Sequence, residues 1–480
     1  MTVDSDKRWI ALYVLCLATL MIVLDMTIVN VALPSIKDDL GFSETSLAWV
    51  VNAYLLTYGG CLLLGGRLGD LLGQRRLFLI GIVLFTLASL ACGTATSKGF
   101  LIAARSVQGV GGAVASAVSL SLMMTLFTEA RERAKAMGIF GFVAAGGGSV
   151  GVVLGGILTD FLNWHWIFLV NVPIGALVVF LSRRLLPAMP GTARGRIDLA
   201  GAVTVTTALM LAIYAIVNGN QKGWTSAQTL GLLGGSAVLL AVFLWIESHV
   251  REPLVPLRLF RRRNFSTASG IGVLWAAAMF AWFFLGALYM QFVLGYSPLQ
   301  IGLAFLPSSL IMAIFSIGLS AKLVVRFGLS RPLTVGLGLA AAGLLLFVRL
   351  PVDGSFVADV LPGMLLLGFG AGIAFNPVLL AAMNDVEPTE AGLASGIVNT
   401  AFMMGGALGL AVLASVAASR TATLSATEDH LTALTGGYHL AFLVGAIFAA
   451  SGAVLSATLL RGAKLPAHEP AGELATADAD

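Results

Sequence analysis

The sequence predicts an all-α polytopic membrane protein, and three observations support this. Hydrophobic residues make up 58% of the 480 positions, charged residues only 11%, and the mean hydropathy is +0.94. A soluble fold of this size could not cover its surface with so few charges. The apolar residues also form long blocks of about 20 residues, the helix length that crosses a bilayer.

Short segments rich in charge, Pro or Gly separate these blocks and predict fourteen transmembrane helices. The predicted spans are 10–33, 46–66, 77–96, 100–124, 136–160, 165–186, 198–218, 228–247, 265–292, 299–322, 332–350, 357–380, 392–418 and 438–460.

Basic residues predict the orientation of the bundle, because loops rich in Lys and Arg stay in the cytoplasm. With both termini inside, the few basic residues on the outer side are Lys37, Lys98, Lys222, Arg349 and Arg420, out of 28 in the chain. We therefore expect both termini in the cytoplasm. The net charge of +4 then reflects topology and not a nucleic-acid partner.

Short sequence matches recur at a nearly constant separation along the chain. The segment "LGFSETSLAWV" at 40–50 resembles "LGYSPLQIGLA" at 294–304, and "GGGSVG" at 146–151 resembles "MGGALG" at 404–409. Parallel repeats of this kind build secondary transporters with a substrate site between two halves. We predict a six-helix half at 1–190, an inserted helix pair with a cytoplasmic linker at 191–263, a second half at 264–461 and a disordered tail at 462–480.

A carboxylate stands inside the first span, in "MIVLDMTIVNVALP". A charged Asp25 costs roughly 2.5–3.5 kcal/mol at the centre of a membrane helix. Because burial disfavours the charged form, this carboxyl is suited to binding and releasing a proton. The alternative is a packing role, in which Asp25 bonds Thr27, Asn30 or a neighbouring helix. We favour coupling, because a neutral side chain would serve packing at lower cost.

A second charge lies in the fourth span, in "LIAARSVQGVGGA". Arginine stays protonated, so Arg105 needs a partner or a water-filled cavity. The alternative is that Arg105 extends to the membrane surface as an anchor.

The segment "GGRLGDLLGQRR" follows the second span and contains Gly66, Asp70, Gly73, Arg75 and Arg76. Its glycines permit close helix packing. An ion pair between the aspartate and an arginine would form a cytoplasmic latch that breaks when the halves move. The alternative is that the arginines anchor the helix and the aspartate caps a turn.

The fifth span carries Gly147, Gly151 and Gly155 on one helix face. Such a row favours close, flexible packing and predicts a hinge between the halves. The G-x-S-x-G and G-x-G-x-x-G patterns that overlap it require a strand and a turn, so we reject a nucleophile or a dinucleotide site.

Together these motifs and "NWHWIFLVNVPIG" resemble the fourteen-span drug:proton antiporters of the major facilitator superfamily. The resemblance implies the major facilitator fold, a proton-coupling role for Asp25 and Arg105, and a gate role for Asp70 and Arg76. The residues that match the antiporter motif of the fifth span are Gly147, Gly151, Gly155 and Gly156. Val152 stands where the family usually has Pro, which predicts a straighter helix.

Aromatic and amide side chains of the spans are candidates for the substrate cavity, since aromatic faces suit flat hydrophobic or cationic molecules. The alternative for the aromatic residues is lipid contact. The candidates are Asn30, Trp275, Phe280, Trp282, Phe283, Tyr289, Asn376 and Asn399.

We therefore expect a monomeric, proton-coupled exporter of small hydrophobic or cationic drugs or antibiotics in a bacterial inner membrane. The proton gradient would supply the energy, with no cofactor, no metal site and no enzymatic activity. An importer or lipid transporter of the same fold, and a membrane sensor or scaffold that does not transport, are the alternatives.

Overall fold

The computed structural model describes residues 5–127, 129–187, 198–250, 253–383, 386 and 391–460. Short turns join its helices, including a 3-10 turn at Leu257–Arg261 and π-helical turns at Phe315–Leu319 and Phe356–Val360. The helices are α1 (Ser5–Leu40), α2 (Glu44–Leu72), α3 (Gln74–Gly93), α4 (Lys98–Leu126), α5 (Ala130–Phe161), α6 (Trp166–Leu169), α7 (Asn171–Leu185), α8 (Leu199–Lys222), α9 (Ala227–His249), α10 (Arg263–Phe292), α11 (Pro298–Ile314), α12 (Ser320–Phe327), α13 (Ser330–Phe347), α14 (Leu361–Met383), α15 (Ala391–Leu424) and α16 (His430–Leu459).

The described residues contain 12 helices that are long and apolar enough to cross a membrane. Two shorter apolar helices, Gly147–Phe161 and Pro298–Ile314, occupy the predicted fifth and tenth spans. The prediction of a polytopic helical membrane protein is therefore confirmed. The tenth span differs in detail, because the π-helical turn at Phe315–Leu319 separates α11 from α12.

The helix contacts repeat between the first half, α1–α7, and the second half, α10–α16. In the first half α1 packs against α5 and α7, and α4 packs against α2 and α3. In the second half α10 packs against α15 and α16, and α14 packs against α11 and α13. The halves meet reciprocally, through α2 with α15 and through α5 with α11.

Glycines with positive φ mark equivalent turns in the two halves. Gly41 and Gly295 both have φ of 70°, and Gly73 and Gly328 have φ of 91° and 77°. A side chain at these angles would clash with the backbone, so glycine is strongly favoured. The matching segments 40–50 and 294–304 thus include a turn that requires this backbone conformation.

The inserted helix α8 lies across the seam between the halves. It contacts α9, and it also contacts α2 of the first half and α15 of the second. Gly60 on α2 leaves room for Thr206, and Asn220 Nδ2 donates to Ser415 Oγ at 3.0 Å. Helix α9 is mostly exposed in the bundle and packs mainly on α8.

The two ends of the bundle differ in charge. The end at which α1 begins and α2 ends carries Arg8, Arg67, Arg75 and Arg76, and we call it the basic end. The end at which α1 ends and α2 begins is called the opposite end.

Close contact between α3 and α4 predicts the first mutational effect. A Cβ on Gly111 would lie 2.5 Å from the backbone nitrogen of Phe85. We expect Gly111→Val to force these helices apart and to lower the free energy of unfolding by about 1–3 kcal/mol, the usual cost of overpacking. Thermal unfolding of the purified protein measures the effect.

The matched control is Gly231→Val on α9, where nothing lies within 4 Å of the added Cβ. This variant should unfold at the wild-type temperature. Equal destabilisation of both variants would contradict the packing argument, because the loss would then not depend on the contact between α3 and α4.

Candidate functional site

The two charges of the first and fourth spans form one buried ion pair. Arg105 Nη1 donates to Asp25 Oδ2 at 2.6 Å, and the side chains are 1% and 0% exposed. Removing both charges from water is expensive, and only a close pair with further hydrogen bonds offsets that cost. Arg105 therefore does not extend to the membrane surface, and the anchor alternative is wrong.

Amide and hydroxyl groups complete the surroundings of the carboxylate. Asp25 Oδ1 accepts from Gln108 Nε2 at 2.7 Å and from Asn171 Nδ2 at 3.0 Å. The same two amides donate to Ser89 Oγ at 3.1 Å and 3.0 Å, and Ser89 donates to the carbonyl of Phe168. Helices α1, α3, α4 and α7 thus converge on one polar cluster inside the first half.

The guanidinium makes further contacts with α2 and α4. Its Nε donates to the carbonyl of Val50 at 3.0 Å, and its Nη1 also donates to Gln108 Oε1 at 2.8 Å. The ring of Tyr54 lies 4.4 Å from the guanidinium carbon of Arg105, within range of a cation–π interaction. Arg105 therefore connects α4 to both α1 and α2.

The hydrogen bonds around Asp25 fit the ionised carboxylate. Each of the three groups that contact its oxygens is an N–H donor. An ionised carboxyl accepts only, whereas a protonated one must donate from one oxygen. Protonation of Asp25 therefore requires at least one of these donors to turn away or to be replaced by an acceptor.

The alternative partners within α1 are not used. Thr27 Oγ1 donates to the carbonyls of Val23 and Leu24, and Asn30 Nδ2 donates to the carbonyl of Met26. Both side chains bond their own helix, so a local bond to Asp25 is wrong, and the partners come from neighbouring helices.

Sequence reasoning missed Gln108, Asn171 and Ser89. Gln108 had a usable signal, because it follows Arg105 by three positions and so lies on the same helix face. Asn171 lies within the quoted motif "NWHWIFLVNVPIG" but carried no signal of its own. Ser89 is a small polar residue in an apolar span, and such residues most often bond their own helix.

The glycine row of α5 packs against the side of α1 that does not carry the carboxylate. A Cβ on Gly151 would lie 2.9 Å from the carbonyl of Leu24, and one on Gly155 would lie 2.7 Å from the carbonyl of Ile28. The preceding glycine of the row, Gly147, faces Leu20 and Val23 of the same helix.

The same segment of α5 also touches the second half. A Cβ on Gly156 would lie 2.8 Å from the carbonyl of Pro298, and one on Gly302 would lie 2.7 Å from the carbonyl of Val152. Helix α5 runs without a break through Val152. The hinge role of this row remains a prediction.

The predicted gate motif lies at the basic end. Gly73 forms the turn between α2 and α3, and Arg75 Nη2 donates to the carbonyl of Arg183 at the end of α7. Arg76 is exposed. The side chain of Asp70 lies outside the described part of the structure, so the latch remains a prediction.

Most of the aromatic candidates lie in the core of the second half. Trp282 and Phe283 pack against Phe305 at 5.6 Å and 5.2 Å between ring centres. Trp275 is buried, and Tyr289 OH donates to a backbone carbonyl at 2.6 Å. Lipid contact is therefore the wrong interpretation of these residues. Neither of the two cavities described in the chain reaches them.

Phe280 lies in an aromatic cluster shared by three helices of the second half. Its ring centre lies 6.1 Å from that of Phe402 on α15, and Phe402 lies 6.1 Å from the exposed Phe375 on α14. The neighbouring Asn376 donates to the backbone carbonyl of Ser316 in a π-helical turn.

A cavity of about 950 Å³ opens at the basic end. It lies between α2, α4, the start of α15 and residues 253–258 after α9, and two predicted residues, Gly66 and Asn399, line it. Ser116, Ser121 and Gln74 supply polar groups among its apolar walls. Such a volume matches a pocket for a drug-sized molecule.

Among the described residues, no group of three or more His, Cys, Asp or Glu side chains is arranged to hold a metal ion.

Comparison with known proteins gives one consistent group of relatives. A family model described as Major Facilitator Superfamily matches residues 15–410. The puromycin resistance protein pur8 of Streptomyces alboniger is 40% identical over 92% of this chain and 90% of its own length. The cephamycin export protein CmcT of Amycolatopsis lactamdurans is 38% identical over 95% and 94%.

Among solved structures, a bacterial homologue of the human lysosomal transporter Spinster, in an inward-facing and unoccupied conformation, matches with a TM-score of 0.67. The match covers 95% of this chain and 98% of that one at 15% sequence identity. This likeness concerns the fold alone.

The ion pair predicts the effect of losing its cation. Arg105→Met leaves Asp25 buried without a counter-charge, and we expect the free energy of unfolding to fall by about 3–5 kcal/mol. Adding Asp25→Asn should recover part of that loss, because the unpaired charge is then gone. Thermal unfolding of the purified single and double variants measures both effects. Equal losses in the single and double variants would contradict a coupled pair.

Proposed function

Because the chain belongs to the Major Facilitator Superfamily, we propose that it is a proton-coupled transporter that exports small hydrophobic or cationic molecules by alternating access. The observation that carries the proton-coupling part is the buried Asp25–Arg105 pair, in which every contact to the carboxylate comes from a donor. Such an arrangement stabilises the ionised form and must reorganise when a proton arrives.

The names of the relatives support export and the class of substrate. One is a puromycin resistance protein and another a cephamycin export protein, and a lincomycin resistance protein of Streptomyces lincolnensis is 36% identical over 86% of this chain. Removal of an antibiotic from the cell explains resistance. We therefore propose that the basic end faces the cytoplasm of a bacterial inner membrane and that substrates leave at the opposite end.

The first step of the proposed cycle is proton binding at Asp25. Neutralising the carboxylate removes the charge that holds Arg105 and replaces one accepting oxygen with a donor. A proton on Oδ1 requires Gln108 and Asn171, which both donate to that oxygen, to rotate or separate from it, and a proton on Oδ2 displaces Arg105. The polar cluster that joins α1 to α4 and α7 loosens as a result.

The second step transmits this change to the other half. Helix α1 stays packed on the glycine row of α5. On α5, the carbonyl of Val152 contacts Gly302 of α11, and Gly156 contacts the carbonyl of Pro298 of α11. A shift of α1 relative to α4 is thus passed to the contact between α5 and α11, which joins the two halves. The near absence of side chains along this path keeps the helix backbones in direct contact.

The substrate pathway is proposed to begin in the cavity of about 950 Å³ at the basic end, with Asn399 on its wall. The aromatic cluster of Phe280, Phe375 and Phe402 is the proposed contact surface for flat or cationic molecules in the second half. We propose that the protein acts as a monomer, catalyses no reaction and needs no cofactor besides the proton gradient.

The test uses lipid vesicles that contain the protein and hold a pH gradient. Proton flux is followed as lipophilic cations and neutral antibiotics are added, for the wild type and for Asp25→Asn. We expect a transported compound to dissipate the gradient through the wild type and not through the variant, which has no titratable carboxyl at that position.

Asp38→Asn is the matched control, because it makes the same chemical change at an exposed position of the same helix. It should dissipate the gradient as the wild type does. Unchanged proton-coupled transport by Asp25→Asn would refute the coupling role of this residue and move the proton site elsewhere, first to Asp70.

A further inference from the structure

Two carboxyl groups outside the site described above lie where the inserted helix pair meets the basic end. Asp198 immediately precedes α8, and Glu247 lies in the last turn of α9. The side chains are only 7% and 3% exposed. Carboxylates are rarely buried to this degree without a partner for their charge.

One oxygen of each carboxyl group accepts a hydrogen bond from a nearby backbone N–H. Asp198 Oδ1 accepts from the backbone nitrogen of Gly201 at 2.7 Å and so caps the start of α8. Glu247 Oε2 accepts from the backbone nitrogen of Val255 at 3.0 Å and so holds the segment that follows α9. The second oxygen of each group has no hydrogen-bond partner in the described residues.

These two remaining oxygens face the same small space beside Gly201. Asp198 Oδ2 and Glu247 Oε1 lie 2.5 Å and 2.8 Å from the point that a Cβ on Gly201 would occupy. Any side chain at this position would fill the space. Glycine thus leaves open a gap towards which two buried, unpartnered carboxyl oxygens converge.

Other charged side chains of the described residues also lie near the gap. Arg67 of α2 and Arg258 of the segment after α9 line the same cavity as Asp198, and each has an interaction of its own. His249 of α9 is exposed and bonds the Trp245 carbonyl. The cavity-lining residues of α4 and α15 carry no charge.

Like charges this close in a buried site do not both ionise, and one carboxyl then keeps a proton. We propose that Asp198 and Glu247 form a second proton-binding site, in which one proton is shared between Asp198 Oδ2 and Glu247 Oε1. The proton comes from water at the basic end, and the pair carries a single negative charge while it is bound. This site is separate from the cluster around Asp25.

The shared proton has a structural consequence. Glu247 holds Val255, and the adjacent Leu254 packs against Leu64 of α2 and Ala202 of α8. Leu254 also lines the cavity of about 950 Å³. Loss of the proton sets two negative charges against each other and weakens this wall of the cavity, so the site links local pH to the shape of the cavity.

The test is infrared spectroscopy of the full-length protein in lipid nanodiscs, which detects the carbonyl band of a protonated carboxylic acid. We expect the wild type to show such a band at neutral pH and to lose it at alkaline pH. Glu247→Gln should lack the band, while keeping the acceptor for Val255. Asp198→Asn should also lose it, because its remaining partner can then ionise, and Asn preserves the helix cap.

Asp38→Asn, at an exposed carboxyl, is the control and should leave the band unchanged. A second readout is the thermal midpoint, which should fall with rising pH in the wild type and much less in Glu247→Gln. Absence of the band from the wild type at neutral pH, or its survival in both variants, would overturn the proposal. Stabilisation by sodium but not choline, lost in Glu247→Gln, would overturn it by identifying a metal ion as the occupant.

Discussion

The buried ion pair between Asp25 and Arg105 is the constraint on which the rest of the first half depends. Neither charge is stable in an apolar core alone, so each must be held by the other and by donors from neighbouring helices. Four helices supply side chains to this cluster, and α2 adds a backbone carbonyl to it. The geometry of the bundle and the protonation state of one carboxyl are therefore linked.

The two faces of α1 make different kinds of contact. One face carries the charge and meets polar side chains, whereas the other meets glycines of α5 at backbone distance. Close glycine contacts allow helices to slide without repacking large side chains, and a single discrete polar cluster can have two arrangements. In the proposed cycle, these properties would convert proton binding into relative movement of the halves.

The second half repeats the helix contacts of the first but not its chemistry. Positive-φ glycines and close helix crossings occur at matching positions, for example Gly81 with Gly111 and Gly336 with Gly370. Where the first half has its ion pair, the second has the aromatic core around Trp282. The inserted helix α8 bridges the seam with contacts to both halves, and a carboxyl pair sits at its base. The functional asymmetry thus rests on a nearly symmetric scaffold.

The sequence by itself determined the membrane class and the two-fold repeat, because these depend on block composition and on matches along the chain. It also identified Asp25 and Arg105, since a charge in an apolar span stands out. Only the tertiary structure decided that these two residues are partners. Likewise it alone revealed Gln108, Asn171 and Ser89 around Asp25 and the convergence of Asp198 with Glu247. Such contacts join residues far apart in sequence, and no local pattern records which helix faces meet.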